Sequence, residues 1–347
     1  MRNTLRSIAL VLSLAVLGGG LASCGSFQQG NARANKPLPS ALQSRLASIG
    51  TNAAAPMVIR IFKESSELEV WKQTPGGSYK LVKSYEICAW SGALGPKIRE
   101  GDRQSPEGFY TITPALMNPN SSFYLAFNTG FPNKFDRVHG RTGSDLMVHG
   151  DCSSRGCYAM TDDAISEIYG LARETFKGGN ASFQLQIYPF RMTAGNLAKH
   201  ADSPHMSFWQ DIKEGHDRFE LAKRPPSWDV CGKEYVFDVP AGLALDPAAA
   251  CPVQVATVSA DVAAKQAADQ AAVDRELAAI AERAAKAAAL AQQEAAAQAA
   301  AKARGEAIGG FITGLFGSEP APGATSGETA GEPETEPPVP AARPKPV

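Results

Sequence analysis

The chain has 347 residues, which predicts about two domains at roughly 150 residues per domain. Its formal net charge of −1 excludes a broad basic surface, so nucleic acid is not an expected partner. The hydrophobic fraction of 44% overstates the core, because 23 of the 44 residues from 260 to 303 are alanines, which bury little surface each. The folded body is therefore expected before residue 260.

The first 24 residues have the pattern of an export signal. Arg2 and Arg6 precede an apolar run, 8–17, that is too short to span a membrane and has the length of a signal-peptide core. The tetrapeptide that ends at Cys24, Leu-Ala-Ser-Cys, resembles the bacterial lipobox, in which the cysteine is lipidated. A plain signal peptide cleaved nearby is the alternative. Because Gly25 resembles an outer-membrane sorting residue, we expect an envelope or periplasmic protein that meets the membrane only through a lipid on Cys24.

Composition divides the chain into six segments. They are a lipoprotein signal peptide (1–23), a tether (24–55), a main body (56–193), a helical C-terminal extension of that body (194–252), an alanine-rich helical spacer (253–306), and an apolar patch with a Pro- and Glu-rich disordered tail (307–347).

Short strands are expected to dominate the main body. Alternating apolar residues predict strands at Met57 to Phe62, Glu67 to Trp71, Tyr79 to Lys83, Phe109 to Ile112, Phe123 to Phe127, Leu146 to His149 and Phe183 to Tyr188. A helix is predicted after Thr161, a suitable N-cap residue, and shorter helices at 41–49, 194–201 and 208–221. The body is therefore mainly β with flanking helices.

The C-terminal third has a different pattern. No Gly or Pro lies between Pro252 and Gly305, which predicts one long helix. Its a and d positions lack large residues, so we expect a solvated or weakly associating spacer and no strong coiled coil. The apolar patch from Gly309 to Phe316 is interpreted as a docking or self-association element, because it is too short to span a membrane.

Five cysteines follow Cys24. They are Cys88, Cys152, Cys157, Cys231 and Cys251. An odd number in an oxidising compartment leaves at least one thiol unpaired, and that thiol is a candidate nucleophile. Cys231 and Cys251 are a plausible structural disulfide, although the sequence does not fix connectivity.

One short segment combines a histidine with a cysteine. His149 ends a predicted strand, and Cys157 follows eight residues later, just ahead of a predicted helix. A neighbouring imidazolium and a helix N-terminus both lower the pKa of a thiol and favour the nucleophilic thiolate. Gly156 leaves room for a substrate carbonyl, and backbone N–H groups around Gly156 and Cys157 can hold an oxyanion. This pattern predicts acyl transfer through a thioester on Cys157.

Two structural interpretations compete with this one. Cys152 and Cys157 can form a local disulfide, or they can bind zinc together with His139 and His149. Four residues between the cysteines, with single scattered histidines, fit structural zinc sites poorly. We therefore expect no metal and no cofactor, and the glycine that precedes Cys157 favours this cysteine as the nucleophile.

Ordered motifs carry a family resemblance. S-P-E-G-F-Y (105–110), M-V-H-G (147–150) and S-R-G-C (154–157) resemble the YkuD-type L,D-transpeptidase domain. F-P-N (131–133), D-R (136–137), H-G-R-T-G-S (139–144), C-Y-A-M-T-D (157–162) and F-R-M-T (190–193) resemble its YafK (DpaA-like) branch. The resemblance covers about residues 57–193, so it implies that the main body is the catalytic domain.

The resemblance implies a fold, a mechanism and a substrate. The fold is a YkuD-type β-sandwich or partly open barrel, with Cys157 as nucleophile and His149 as general acid/base. The substrates are peptidoglycan stem peptides, cut between the L-centre of a diamino acid and the following D-residue. An amine captures the acyl-enzyme in a transpeptidase, and water captures it in hydrolytic relatives.

The sequence departs from the wider family after the nucleophile. Many YkuD-type domains place a small apolar residue and an arginine there, whereas Tyr158 and Ala159 follow Cys157 here. Another cation must then meet the substrate carboxylate, and Arg141 and Arg155 are the candidates, since a guanidinium pairs with a carboxylate bidentately. Ordinary solvated arginines are the alternative for both.

Three further residues complete the candidate site. His139 can orient His149 or contact substrate, with a structural loop histidine as the alternative. Ser154 can orient substrate or cap the loop near Cys157. Gly150 belongs to the same predicted substrate and oxyanion region.

The expected function is that of an envelope murein L,D-transpeptidase. One alternative is an L,D-endopeptidase that releases lipoproteins from peptidoglycan, which makes envelope lipoproteins a second class of partner. The other is a non-catalytic tether that binds peptidoglycan through an inactive domain.

Overall fold

Twelve strands build two mixed sheets and one hairpin in the computed structural model, which describes residues 32–317. The strands are β1 (Met57–Phe62), β2 (Glu67–Gln73), β3 (Tyr79–Glu86), β4 (Ala89–Trp90), β5 (Gly108–Ile112), β6 (Met117–Asn118), β7 (Ala126–Asn128), β8 (Met147–His149), β9 (Tyr158–Ala159), β10 (Phe183–Tyr188), β11 (Trp228–Cys231) and β12 (Glu234–Phe237). The first sheet has the order β3-β2-β1-β10-β5, the second has the order β4-β9-β8-β7-β6, and β11 pairs with β12. Only the β1–β10 and β8–β9 pairs are parallel among these described strands.

Seven helices with assigned bounds surround the sheets in the described chain. They are α1 (Ser40–Ser48), α2 (Lys134–Val138), α3 (Asp162–Lys177), α4 (Ala194–Lys199), α5 (Met206–Ala222), α6 (Val253–Ala256) and α7 (Ala260–Leu315), with a 3-10 turn at Pro114–Leu116. Neither sheet closes into a barrel. The prediction of a mainly β fold with flanking helices and a long C-terminal helix is confirmed.

The two faces of the first sheet belong to different cores. Ile59 and Ile61 of β1 join a core that also contains residues of the second sheet and of α3. Phe62 lies on the opposite face and packs in a second core with Trp209 of α5 and Phe237 of the hairpin. This alternation follows from the pleat of the strand. The extension after residue 193 therefore covers the back of the sheet.

Helix α3 begins directly after the segment that carries the candidate site. The Thr161 hydroxyl accepts a hydrogen bond from the N–H of Ala164 at 3.1 Å, as expected for an N-cap residue. Ile165 and Ile168 are fully buried in the core shared with the two sheets. The helix thus holds the end of β9 against the sheets.

The predicted tether differs from the structure. Leu42 and Leu46 of α1 are buried in the main core, as are Ala34 and Leu38. Arg45 also donates hydrogen bonds to carbonyl oxygens of β3. A short helix is stable only when its apolar face packs against a core, and here the first sheet provides that core. The body therefore begins near residue 34.

Other boundaries also differ from prediction. The strand expected from Phe123 starts at Ala126, because Tyr124 has a positive φ of 67°, which no strand tolerates. Helix α7 continues through Gly305, Gly309 and Gly310, since its alanine-rich context outweighs the low helix propensity of glycine. The described chain divides into two units, one ending at Ala281 and one beginning at Glu282.

Some predictions fall outside the described residues. These are the signal peptide, the lipobox at Cys24 and the tail from residue 318. Within residues 32–317, no helix combines the length and apolar character that crossing a membrane requires.

Candidate active site

Strands β8 and β9 place His149 and Cys157 on one face of the second sheet. The two strands are parallel, with Val148 opposite Tyr158 and His149 opposite Ala159. Cys157 directly precedes β9, and alternate residues of a strand share a face. Val148 and Tyr158 are fully buried on the core side. The imidazole and the thiol therefore project together from the other side.

Cys157 carries a protonated thiol at neutral pH. Burial raises the pKa of the Cys157 thiol, and the nearby Asp145 carboxylate adds to this effect. A hydrogen bond from the N–H of Met147 to Sγ, at 3.4 Å, and the Lys97 ammonium act in the opposite direction without overcoming it. The thiol donates to the carbonyl oxygen of Asp145, with 3.6 Å between Sγ and that oxygen.

The thiol pKa differs from the sequence expectation. A lowered pKa was expected from a neighbouring imidazolium and a helix N-terminus. The helix begins only at Asp162, beyond β9, and the imidazole is itself buried. Desolvation disfavours both charged forms, so the pair rests as thiol and neutral imidazole.

The protonation of His149 follows from its contacts. Burial lowers the pKa of the His149 imidazole, which is only 3% exposed, while the bond to Gly150 acts in the opposite direction. Nδ1 lies 2.5 Å from the carbonyl oxygen of Gly150. Because a carbonyl only accepts, Nδ1 carries the hydrogen and Nε2 remains a base. His149 and Cys157 are not hydrogen-bonded to each other among the described residues.

Phe123 covers one face of the imidazole. The two ring centroids are 4.8 Å apart and the planes are tilted by 39°. The N–H of Gly150 donates to the carbonyl oxygen of Phe123 at 3.0 Å. A Cβ on Gly150 would stand 3.0 Å from that oxygen and 2.5 Å from Oδ1 of Asp162. Gly150 is thus required by close packing beside the histidine.

A disulfide holds the loop between His149 and Cys157. Cys152 is bonded to Cys88, which follows β3 in the first sheet. Cys157 is the free cysteine of the described chain. The alternatives in which Cys152 pairs with Cys157 or binds zinc are therefore wrong, and residues 32–317 hold no cluster of three or more metal-ligating side chains of the His, Cys, Asp and Glu types. Cys231 and Cys251 are bonded, as the sequence suggested.

Two serine hydroxyls hold the backbone at Cys157. The hydroxyls of Ser154 and Ser105 donate to the carbonyl oxygen of Cys157 at 2.7 and 3.2 Å. The N–H of Gly156 donates to Oγ of Ser154 at 3.3 Å. Gly156 has a φ of +126°, which side-chain-bearing residues rarely adopt. Ser154 therefore caps the loop, one of the two roles expected for it.

The two arginines predicted to meet the substrate carboxylate have different surroundings. Arg141 is buried, pairs with Asp136 at 2.9 Å, and lies over the rings of Phe135 and Phe208. Its guanidinium is thus already committed to a structural cluster. Arg155 is exposed and forms no ion pair within the described part of the chain.

His139 lies apart from His149 and Cys157. Its Nε2 is 2.8 Å from the carbonyl oxygen of Lys233, in the turn between β11 and β12. Its ring packs on Phe135, at 4.3 Å between centroids. The structure therefore assigns His139 a contact with the hairpin and gives no contact with His149.

Three neighbours of the pair were missed from sequence. Lys97 acts electrostatically on the thiol, Phe123 stacks on the imidazole, and Ser105 holds the Cys157 carbonyl. Of these three, only Ser105 stood in one of the motifs that carry the family resemblance.

Comparison with known proteins decides the family. The family model of YkuD, described as the L,D-transpeptidase catalytic domain, matches residues 69–178, which include both His149 and Cys157. YafK of Escherichia coli K12, which its name assigns provisionally to the L,D-transpeptidases, is 40% identical over 238 residues, or 68% of this chain and 92% of YafK. The chain belongs to the YkuD-type L,D-transpeptidases, in the YafK branch. The resemblance stated from sequence is thereby confirmed, and the E. coli O157:H7 YafK matches equally.

Solved structures are less similar in sequence to this chain than YafK is. A variant of the helical cell shape determining protein Pgp2 from Campylobacter jejuni is 22% identical, with a TM-score of 0.33, over 44% of this chain and 58% of that one. Bd1075 of Bdellovibrio bacteriovorus is 24% identical, with a TM-score of 0.28, over 48% of this chain and 59% of that one. The chain thus spans less than two thirds of either structure.

Proposed function

We propose that this chain is a cell-envelope murein L,D-transpeptidase that acts on peptidoglycan stem peptides through a thioester on Cys157. The observation that carries the proposal is the free thiol and the neutral imidazole on one face of β8 and β9. The family to which the chain belongs acts on such stem peptides.

The first half-reaction forms the thioester. Nε2 of His149 accepts the thiol proton as Sγ of Cys157 attacks the carbonyl carbon of the diamino acid. The tetrahedral intermediate collapses by breaking the bond to the following D-residue, whose amine takes the proton from the imidazolium. A neutral resting pair suits this order, because the proton moves only when substrate arrives.

The second half-reaction decides between two activities. His149 deprotonates an incoming nucleophile, which attacks the thioester and releases Cys157 as a thiol after the proton returns to sulfur. An amine from another stem or a lipoprotein lysine gives a new amide. Water gives a free carboxylate, and the enzyme then acts as an L,D-endopeptidase that can detach lipoproteins.

Arg155 is the cation that we propose for the substrate carboxylate. It is exposed, two residues before Cys157, and makes no ion pair in the described chain. Arg141 is withdrawn from this role because its guanidinium pairs with the buried Asp136 carboxylate. We also retain lipidation of Cys24 as part of the proposal, with anchoring in the outer membrane.

The test follows products by mass spectrometry. Purified chain from residue 25 onward is incubated with disaccharide tetrapeptides and, separately, with lipoprotein-linked muropeptides. New cross-links support transfer, and cleavage without cross-links supports hydrolysis. Cys157→Ser is expected to lower either activity by at least about a thousandfold. Undiminished activity in this variant would remove the thioester mechanism, and failure of native Cys157 to react with a carbapenem would favour the non-catalytic tether.

Membrane attachment has its own test. Full-length chain made in a bacterial host is expected in the outer-membrane fraction, and Cys24→Ser is expected in the soluble periplasmic fraction. An unchanged distribution would remove the lipid anchor and leave the enzymatic proposal intact.

A further inference from the structure

The last turns of α7 expose a stripe of large apolar side chains. Its members, here called the 308–316 stripe, are 51% to 78% exposed: Ile308, Phe311, Ile312, Leu315 and Phe316. Offsets of 3, 4 and 7 residues place the first four on one face of the helix. Phe316, the residue after α7, continues this face, and its N–H donates to the carbonyl oxygen of Ile312 at 3.1 Å. No charged residue occurs from 307 to 318. The stripe is therefore continuous and interrupted by no charge.

The size of the stripe is that of half a small interface. Its exposed apolar surface is about 600 Å², taking roughly 200 Å² for one large side chain. Soluble monomers seldom expose apolar patches beyond a few hundred Å². A specific interface buries about 600 to 1,000 Å² per partner. The exposed area of one stripe is thus large enough to be one subunit's share of such an interface.

We propose that two copies of this chain associate through the 308–316 stripe. In a two-fold dimer the same patch faces itself, so a self-complementary apolar surface needs no other partner. The stripe meets this condition because all of its members are bulky and apolar.

Charge argues against a lipid surface as the occupant. Helices that lie on membranes carry Lys and Arg on the polar face. The other side of this helix carries Gly309, Gly310, Thr313 and Gly314 instead. The sequence from 318 to 342 adds five glutamates and no basic residue. Anionic lipid would repel this region.

The position of Arg304 favours an antiparallel pair. Arg304 precedes Ile308 by four residues and lies on the same side of the helix. In a parallel pair two Arg304 side chains would meet, and their like charges would repel. In an antiparallel pair centred between Phe311 and Ile312, Ile308 faces Leu315 of the second copy. The two Arg304 positions are then about 22 Å apart at 1.5 Å per residue.

Sedimentation velocity on the chain from residue 25 onward tests the association. Native protein is expected to dimerise with rising concentration up to about 0.1 mM, a range suited to a small interface. Phe311→Asp is expected to remain monomeric. Leu290→Asp is the matched control, because Leu290 is 58% exposed on the same helix but outside the stripe. It is expected to dimerise like native protein, and circular dichroism checks that both variants keep their helix.

Three results would overturn the proposal. They are a native chain that stays monomeric throughout, a Phe311→Asp variant that dimerises normally, and a monomer that binds phosphatidylethanolamine–phosphatidylglycerol vesicles through the stripe. Cross-linking in a Cys157→Ser background tests the orientation. Mixed Ile308→Cys and Leu315→Cys chains are expected to form disulfides with each other, whereas a preference for two identical positions would overturn the antiparallel register.

Discussion

The ring of Phe123 lies against the imidazole of His149, with 4.8 Å between their centroids. The ring covers part of the imidazole, and burial lowers the pKa of His149, the base that we propose. A base must be unprotonated to accept the Cys157 proton. Activity is therefore expected to persist as pH falls below 6.5, the ordinary value for histidine, and to decline only below the lowered pKa.

Removing the Phe123 ring should raise the pH below which activity is lost. Phe123→Ala exposes the imidazole and raises its pKa toward the ordinary value, so activity is lost at a higher pH than in the native enzyme. Phe123→Tyr keeps the ring and should keep the native profile. The pH dependence of kcat/KM on stem peptides measures both variants. Identical acidic limbs in native enzyme and Phe123→Ala would show that the contact does not tune the base.

The thiol of Cys157 should react slowly with iodoacetamide at neutral pH. Burial raises its pKa above the ordinary value of 9.0, so the alkylation rate should continue to increase above pH 9. Lys97→Met removes an ammonium that stabilises the thiolate and should slow alkylation further, whereas Lys97→Arg keeps the charge. Mass spectrometry of the alkylated chain gives the rates. A rate plateau below pH 8 would contradict the raised pKa.

The two disulfides should differ in their effect on catalysis. Removing either one destabilises the folded chain, by about 4 kcal/mol for Cys88–Cys152 and about 3 kcal/mol for Cys231–Cys251, from sequence separations of 64 and 20 residues. Only the first bond holds the loop between His149 and Cys157. The paired Cys88→Ala and Cys152→Ala variant should lose turnover well below its melting temperature, as measured by urea unfolding and product formation. The paired Cys231→Ala and Cys251→Ala variant serves as the control.

Mutations of Arg141 and Arg155 should have different effects, the first on stability and the second on substrate binding. Arg141→Ala leaves the buried Asp136 carboxylate without its partner, which should cost about 3 kcal/mol of unfolding free energy. Arg155→Ala should leave stability unchanged and raise KM for stem peptides, with partial recovery in Arg155→Lys. Thermal melts and steady-state kinetics give both quantities. A raised KM in a fully folded Arg141→Ala protein would return Arg141 to the substrate site.

The longer strands were predictable from the sequence. β1 and β10 match their predicted bounds, because each is a six-residue run rich in β-branched and aromatic side chains, although both faces of the two strands prove to be buried. The two-residue strands β4, β6 and β9 were not predictable, since two residues have no period and their pairing depends on distant backbone.

The same distinction applies to the site. His149 and Cys157 were chosen from local spacing, and the parallel pairing of β8 and β9 brings them to one face. Lys97 and Phe123 reach the pair only through tertiary packing, so no local pattern marked them. The thiol pKa was misjudged for the same reason, because burial is a property of the folded chain.

The docking of α1 would limit the distance between the folded body and a membrane if Cys24 carries the proposed lipid. Ala34 already belongs to the main core, so only nine residues lie between it and Cys24. The ten Cα–Cα steps from Cys24 to Ala34 span at most about 35 Å. The predicted tether of 32 residues would have allowed about 100 Å. A lipid on Cys24, as proposed, would therefore keep the catalytic domain close to the bilayer and confine its substrates to the adjacent layer of the peptidoglycan.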